Sequence, residues 1–172
     1  MSIFAKIYFT MQEERQEIIE LFGIHFEQLY NIPPLAARII GTLIIDGCKT
    51  GLTFDELVEK MQASKSSIST NLNLLQKMDK IFYLTKVGDR KKYFKAAPLS
   101  ERINNFLSLV NNEKVLIDRI INYREKNISC VQEEINLQNA YAYKEHMIKA
   151  EQLLLNTINE FKRIETQNQQ SK

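Results

Sequence analysis

The order of elements within residues 52–97 constrains the fold of this chain more than any other feature. The first element is a short helix that begins at Thr53, because Thr53 and Glu56 have the spacing of a capping box, in which the threonine hydroxyl accepts a hydrogen bond from a helical amide. Apolar residues three and four positions apart then share one face of this helix, namely Phe54, Leu57, Val58 and Met61. The pattern predicts a short helix that packs through a single stripe.

A second helix is predicted after a tight turn, with Ser64 as its N-cap. Its buried stripe is expected to contain Ile68, Leu72, Leu75 and Met78. The other positions near its start are small and polar, although serine, threonine and asparagine are poorer helix formers than the glutamate, lysine and alanine that usually cover a solvated helix. This composition favours a surface that lies close to another molecule, and the alternative is an ordinary serine-rich surface.

A basic hairpin is predicted directly after the second helix. Residues 81–86 are rich in aromatic and β-branched side chains, residues 87–89 supply turn chemistry, and a second strand continues to Ala96. The loop carries Arg90, Lys91 and Lys92, and an extended ribbon of this kind can lie along a phosphate backbone. A run of charge is more often a solvated loop, but its position after this helix favours a wing. Helix, turn, helix and wing together predict a winged helix-turn-helix.

Positive charge is concentrated on this same stretch. Residues 62–97 contain eight basic and two acidic residues, a net charge of +6, whereas the whole chain has a net charge of +2. Nucleic-acid binding requires such a concentration. We therefore predict that the start of the second helix enters the major groove and that the wing contacts the flanking backbone or minor groove. The candidate DNA-binding residues are Lys65, Ser66, Ser67, Ser69, Thr70, Asn73, Arg90, Lys91 and Lys92.

The span of residues 52–97 resembles the winged helix-turn-helix of MarR-type bacterial transcription regulators. Residues 32–43, which contain Pro33, Arg38-Ile39 and Gly41-x-Leu43, and residues 87–93 in the wing are similar to the GbsR-like subgroup. The resemblance extends over about residues 22–98. It implies a cytoplasmic homodimer that binds double-stranded DNA at a pseudo-palindromic operator, often as a repressor and sometimes released by a small-molecule effector. The resemblance does not identify that effector.

The flanking segments are predicted to be helical. Thr10 and Glu13 have capping-box spacing, which predicts a helix from there to about Tyr30, and the next helix begins after Pro33-Pro34 and ends near Asp46. Two long amphipathic helices follow the wing, the second opening at Ser129 with the same spacing to Gln132. The alternatives are that their apolar stripes pack against each other or form a twofold dimer interface, and the pattern together with the resemblance favours the dimer.

These observations predict a mainly α-helical fold with a small β-hairpin, and four segments. Residues 1–31 form an N-terminal helical segment for the core and dimerisation, residues 32–98 the winged helix-turn-helix, residues 99–165 a helical dimerisation region, and residues 166–172 a frayed tail. No phosphate-binding loop, zinc motif or nucleophile elbow is present in the sequence, so we predict no enzyme activity, cofactor or metal.

The sequence also predicts a cytoplasmic protein. No run of residues is apolar for long enough to cross a membrane, and residues 1–6 do not have the pattern of a secretory signal. Cys48 and Cys130 have no spacing that suggests zinc or a redox pair, so a buried or incidental thiol is favoured over a redox sensor.

Two further functions remain open from the sequence. A winged helix can bind protein through its exposed helix, with only weak and nonspecific affinity for duplex DNA. Alternatively, aromatic side chains could line a pocket for a ligand, although aromatic residues at helical spacing normally pack into a core. The aromatic residues considered are Tyr8, Phe22, Phe26, Tyr30 and Tyr123.

Overall fold

The computed structural model describes the backbone of residues 3–170 and the side chains of residues 10–168. Over this range the elements follow in the order α1 (Ile3–Tyr30), α2 (Pro34–Ile45), β1 (Leu52–Thr53), α3 (Phe54–Met61), α4 (Lys65–Lys77), β2 (Ile81–Thr85), β3 (Lys92–Ala96), α5 (Leu99–Asn127) and α6 (Val131–Gln170). The chain divides into two compact units, residues 1–97 and residues 98–172. The mainly α-helical fold with a small antiparallel sheet is the predicted fold class, which is therefore confirmed.

Local capping places α3 and α4 as the sequence predicts. The Thr53 hydroxyl accepts the Glu56 N–H at 3.3 Å, and the Glu56 carboxylate accepts the Thr53 N–H at 2.7 Å, so both halves of the capping box are present. Helix α3 ends at Met61, and its C-cap residue Gln62 has a left-handed backbone with φ of 47°. Helix α4 then begins with the Ser64 hydroxyl accepting the Ser67 N–H at 3.1 Å.

The hairpin belongs to a three-stranded antiparallel sheet with the order β1-β3-β2. Strand β1 is absent from the sequence-based prediction, because a strand of two residues has no periodicity to detect. It pairs through Leu52 with Phe94 and through Thr53 with Tyr93. Gly51 allows this close approach: its φ is +81°, and a Cβ at this position would lie 2.8 Å from the Phe94 carbonyl oxygen.

The core of the first unit lies where α1, α2, α3 and α4 meet the sheet. Helix α1 packs along α2, which buries Ile39 and Leu43, while α3 and α4 contribute Leu57, Ile68 and Leu75. Leu57, Ile68 and Leu75 belong to the apolar stripes predicted for the two helices of the helix-turn-helix. Among the described residues, no helix is long and apolar enough to span a membrane.

Two capping predictions in the flanks are wrong. Helix α1 begins at Ile3, so Thr10 lies within it rather than at its start. Residues 3–9 contain no proline or glycine that would stop the helix. At the other site, the Ser129 N–H and hydroxyl both donate to the Glu133 carboxylate, at 2.7 Å and 2.9 Å, and α6 begins at Val131. The acceptor is therefore Glu133 rather than Gln132.

The second unit is an antiparallel pair formed by α5 and α6. Polar pairs join the two helices from their open end towards the connecting turn: Ser100 with Glu165, Lys114 with Glu151, Asp118 with Lys144, and Glu125 with Tyr141. Their shared apolar core contains Ile117, Ile121, Leu137 and Ala140. Helix α6 continues to Gln170, beyond Thr166, where the sequence predicts fraying, and the Thr166 hydroxyl donates to the Lys162 carbonyl at 2.8 Å. Residues 171–172 lie outside the described residues.

Candidate nucleic-acid interface

The predicted reading residues of α4 lie on its solvent-facing side. The exposed ones are Lys65, Ser66, Ser69, Thr70 and Asn73. Ser67 is half-buried, and its hydroxyl lies 2.8 Å from the Ser64 hydroxyl, so it takes part in the helix cap. The Ser66 hydroxyl lies 3.0 Å from the same Ser64 oxygen. Hydroxyl and amide side chains at the start of a helix have the chemistry to contact phosphates and base edges.

A shared cleft joins the face of α4 to the hairpin. Ser69, Asn73 and Gln76 of α4 and Lys92 of β3 line this cleft, which has a volume of about 330 Å³. Phe54, Leu72 and Phe94 complete its lining. The structure therefore brings three candidate residues, Ser69, Asn73 and Lys92, onto one surface. The sequence analysis did not include Gln76, although its position three residues after Asn73 places it on the same helix face.

Asp89 fixes the loop of the hairpin. Its carboxylate accepts the Lys91 N–H at 2.9 Å and the Tyr93 hydroxyl at 2.7 Å. The hydrogen bonds from the Tyr93 hydroxyl and the Lys91 N–H hold the pKa of Asp89 below its ordinary value. The hydrogen bond between Tyr93 and Asp89 also raises the pKa of Tyr93. An ionised Asp89 thus orders the turn that carries Arg90 and Lys91, both of which are exposed.

Two lysines of the hairpin lie over aromatic rings. The Lys86 ammonium is 3.8 Å from the centroid of the Tyr93 ring, and the Lys92 ammonium is 4.2 Å from the centroid of the Tyr83 ring. Lys92 is the first residue of β3, paired with Thr85, rather than a loop residue as the sequence analysis placed it. Cation–π contacts of this kind restrict where the ammonium groups lie while leaving their charge at the surface.

Three of the aromatic residues considered for a ligand pocket pack within the first unit. Phe22, Phe26 and Tyr30 stack along α1, with ring centroids 5.6 Å apart at each step, and join the core of the first unit. Tyr123 belongs to the second unit and is exposed, and the side chain of Tyr8 lies outside the described residues. Helical spacing of these α1 rings therefore reflects core packing.

The sequence analysis favoured a buried or incidental thiol for each cysteine, and the structure contradicts burial for both. Cys48 and Cys130 are both exposed and free. Cys48 follows the end of α2 and Cys130 precedes α6, so each lies in a connecting segment.

The chain is similar to transcriptional regulators. No family model matches it. The HTH-type transcriptional regulator MmpR5 of Mycobacterium tuberculosis is 33% identical over 82 residues, which is 48% of this chain and 48% of the relative. The chain thus spans about half the length of the curated relative it matches.

Solved structures give a fold-level comparison. The crystal structure of a transcriptional regulator superposes with a TM-score of 0.56 at 22% identity, covering 87% of this chain and 99% of that one. The fold is a winged helix-turn-helix. MepR, a transcription regulator of the Staphylococcus aureus multidrug efflux pump MepA, covers 99% of this chain and 98% of its own, at 13% identity and a TM-score of 0.37. A score this low supports no residue-level comparison.

Proposed function

We propose that the chain is a sequence-specific regulator of transcription that binds double-stranded DNA. The observation that carries this proposal is the cleft shared by Ser69 and Asn73 of α4 and Lys92 of β3, because it puts a polar helix face and a cationic hairpin on one surface. A helix in the major groove with an adjacent wing on the backbone needs this juxtaposition. The similarity to an HTH-type transcriptional regulator over half of the chain supports it further.

Within this function, the individual contacts divide by chemistry. Ser69, Thr70 and Asn73 have side chains that can donate to and accept from base edges, whereas Lys65 at the start of α4 and the loop residues Arg90 and Lys91 are suited to phosphates. Phosphate contacts fix register and supply affinity, while base contacts give specificity. We assign sequence reading to α4 and general affinity to the wing.

We further propose a cytoplasmic homodimer of MarR type, in the GbsR-like subgroup, that represses by occluding a promoter. The motifs at residues 32–43 and 87–93 support the subgroup. Helices α5 and α6 leave large apolar side chains uncovered after packing together; Leu109 is 62% exposed and Leu153 is 67% exposed. A twofold dimer would cover such surface and would place two α4 helices on half-sites one helical turn apart.

Selection from a random DNA pool, followed by fluorescence anisotropy, tests the proposal. The enriched duplex should bind about a thousandfold more tightly than a scrambled duplex at physiological salt. Replacing Asn73 with alanine should alter the enriched sequence more than the nonspecific affinity, because base contacts carry the sequence information. Asn139→Ala, at an exposed position on α6, provides a matched control. A pool without enrichment, or the same shift in both variants, would contradict DNA reading by α4.

The hairpin also supports a second candidate function, a winged helix that binds protein. Phe82 and Leu84 of β2 are both exposed and, being two positions apart, share one face of the strand, where exposed apolar side chains can form a protein-binding surface. This alternative predicts weak, equal affinity for every duplex in the same anisotropy experiment. It also predicts that Phe82→Ser leaves DNA binding unchanged while abolishing binding to a protein partner.

A further inference from the structure

A second cleft opens on the first unit, and its lining contains none of the predicted reading residues. It lies between α1, α2 and the end of α3 and has a volume of about 520 Å³. Its lining is mostly polar or charged, with only three apolar residues: Arg15, Gln16, Ile19, Glu20, Leu35, Arg38, Thr42, Lys60, Met61 and Gln62. A cleft of this size can hold a small molecule, and a lining of this kind favours a hydrophilic one.

The charged residues that line this cleft are Arg15, Arg38, Lys60 and Glu20. Arg15 and Lys60 are both held by Asp46: the Arg15 Nε lies 2.7 Å from Asp46 Oδ1, and the Lys60 Nζ lies 3.0 Å from Oδ2. Burial raises the pKa of Asp46, but hydrogen bonds from Arg15 and Lys60 outweigh this effect and hold the pKa below its ordinary value. The ionised Asp46 and Glu20 together offset two of the three cations, so the cleft and its ion-pair partner keep a net charge of +1.

Arg38 has hydrogen-bonding capacity left over. Its Nε donates to both carboxylate oxygens of Glu20, at 2.9 Å and 3.1 Å. Its two Nη groups form no hydrogen bond with any described residue. A guanidinium presents a fork of donors that matches the oxygens of a carboxylate or phosphate group.

Thr42 provides the second and independent observation. It lies one helical turn after Arg38 on the same face of α2, lines the cleft and is 0% exposed. Its hydroxyl is the one buried side-chain polar atom among the described residues without a hydrogen-bond partner. Buried hydroxyl groups are nearly always hydrogen-bonded, so an unpartnered one beside a cationic cleft points to an acceptor that binds there.

We propose that this cleft binds a small hydrophilic oxyanion that carries a carboxylate or phosphate group. The Arg38 Nη groups and the Lys60 ammonium hold the oxyanion, and the Thr42 hydroxyl donates a hydrogen bond to it. The few apolar side chains in the lining leave little room for an aromatic or long aliphatic body. The ligand is therefore polar over most of its surface.

The position of the cleft gives its occupant a regulatory role, a step that rests on the proposed function. Lys60 and Met61 are the last residues of α3, and Gln62 is the left-handed cap residue that leads into α4. An anion held between α2 and this turn contacts the segment that sets the position of α4. If its affinity differs between the DNA-bound and free states, its binding must change the affinity for DNA by the same factor.

Titration calorimetry on the full chain without DNA tests the site, with inorganic phosphate in one arm and malonate in the other, at constant ionic strength set with chloride. We expect saturable binding in at least one arm, and the arm that saturates identifies the anion as phosphate-like or carboxylate-like. Arg38→Gln should weaken binding at least about tenfold, because the donor fork is lost. Arg163→Gln, at an exposed position of α6, removes the same charge elsewhere and should bind as the wild type does.

The Thr42→Val variant tests anion binding without disturbing the fold. Valine has nearly the shape of threonine, and the hydroxyl it removes makes no hydrogen bond in the folded protein. The variant should therefore keep the wild-type circular dichroism and thermal stability without anion, while its anion affinity falls about tenfold. The proposal is overturned if neither probe saturates the wild type, or if both the Arg38 and Thr42 variants bind like the wild type. A chain that binds the anion but no specific DNA would instead refute only the proposed function.

Discussion

Replacing Arg90, Lys91 and Lys92 together with alanine is predicted to flatten the salt dependence of DNA binding. Each phosphate contact contributes about 0.9 to the slope of log K against log salt. Arg90 and Lys91 are exposed and form no salt bridge with a described residue, while the Lys92 ammonium is held 4.2 Å from the Tyr83 ring centroid. The slope should therefore fall by about 1.8 per wing if only the two loop cations reach phosphates, and by about 2.7 if all three do.

The expected difference is large enough to measure by fluorescence anisotropy. Between 50 and 200 mM salt, the wild-type protein should lose about 12-fold to 40-fold more affinity per wing than the variant, on operator and random DNA alike. Lys126, Lys149 and Lys162 are exposed on α5 and α6, and their triple alanine variant removes the same net charge. An unchanged slope in the wing variant, or an equal change in this control, would refute the wing assignment.

Three further predictions concern the stability of the first unit. Thr53→Ala removes half of the capping box and should lower the free energy of unfolding by about 1 kcal/mol in urea denaturation, and an unaltered midpoint would contradict the cap. Leu75→Ala truncates a fully buried side chain and should cost about 2–5 kcal/mol, whereas the exposed Leu84→Ala should change stability by less than about 0.5 kcal/mol. The folded-state pKa of Asp46 is depressed, so the ionised carboxylate adds to the free energy of unfolding. This added stability is present above the unfolded-state pKa of about 3.9 and is lost as the pH falls through the folded-state pKa. Asp46→Asn should therefore lower the free energy of unfolding at pH 7 and change it little at a pH well below the folded-state pKa, as measured by urea denaturation at each pH. An equal loss of stability at the two pH values would show that the ion pairs of Asp46 do not cause the loss.

The helix-turn-helix was predictable because its signals are local. The Thr53 cap and the Ser64 cap each involve residues only three positions apart, and the stripes of α3 and α4 repeat at helical spacing. The same motif predicted a wrong helix start at Thr10, whereas at Ser129 it placed the start of α6 within two residues but named Gln132 as the partner instead of Glu133. A capping residue takes effect only where the chain actually leaves the helix, and nothing in residues 3–9 makes it do so.

The candidate site was predictable only in part, because its parts are distant in the chain. Ser69 and Asn73 were identified on α4, but their shared cleft with Lys92 depends on how β3 packs beside that helix. Pairing of β3 with β1 joins residues about forty positions apart, and β1 is too short to leave a pattern of its own. Gln76 lies on the same helix face as Asn73, and the packing of β3 beside α4 places both in the cleft.

By itself, the sequence determined the helices of the winged helix, their caps, the hairpin and the concentration of positive charge, since each depends on neighbours within a few residues. Only the tertiary structure decided which of these elements share a surface. Arg15 and Asp46 are 31 positions apart, and the Thr42 hydroxyl has no local feature that marks it as unpartnered. Such contacts depend on the packing of α1, α2 and α3 against one another, because burial and hydrogen-bond satisfaction are properties of the packed chain.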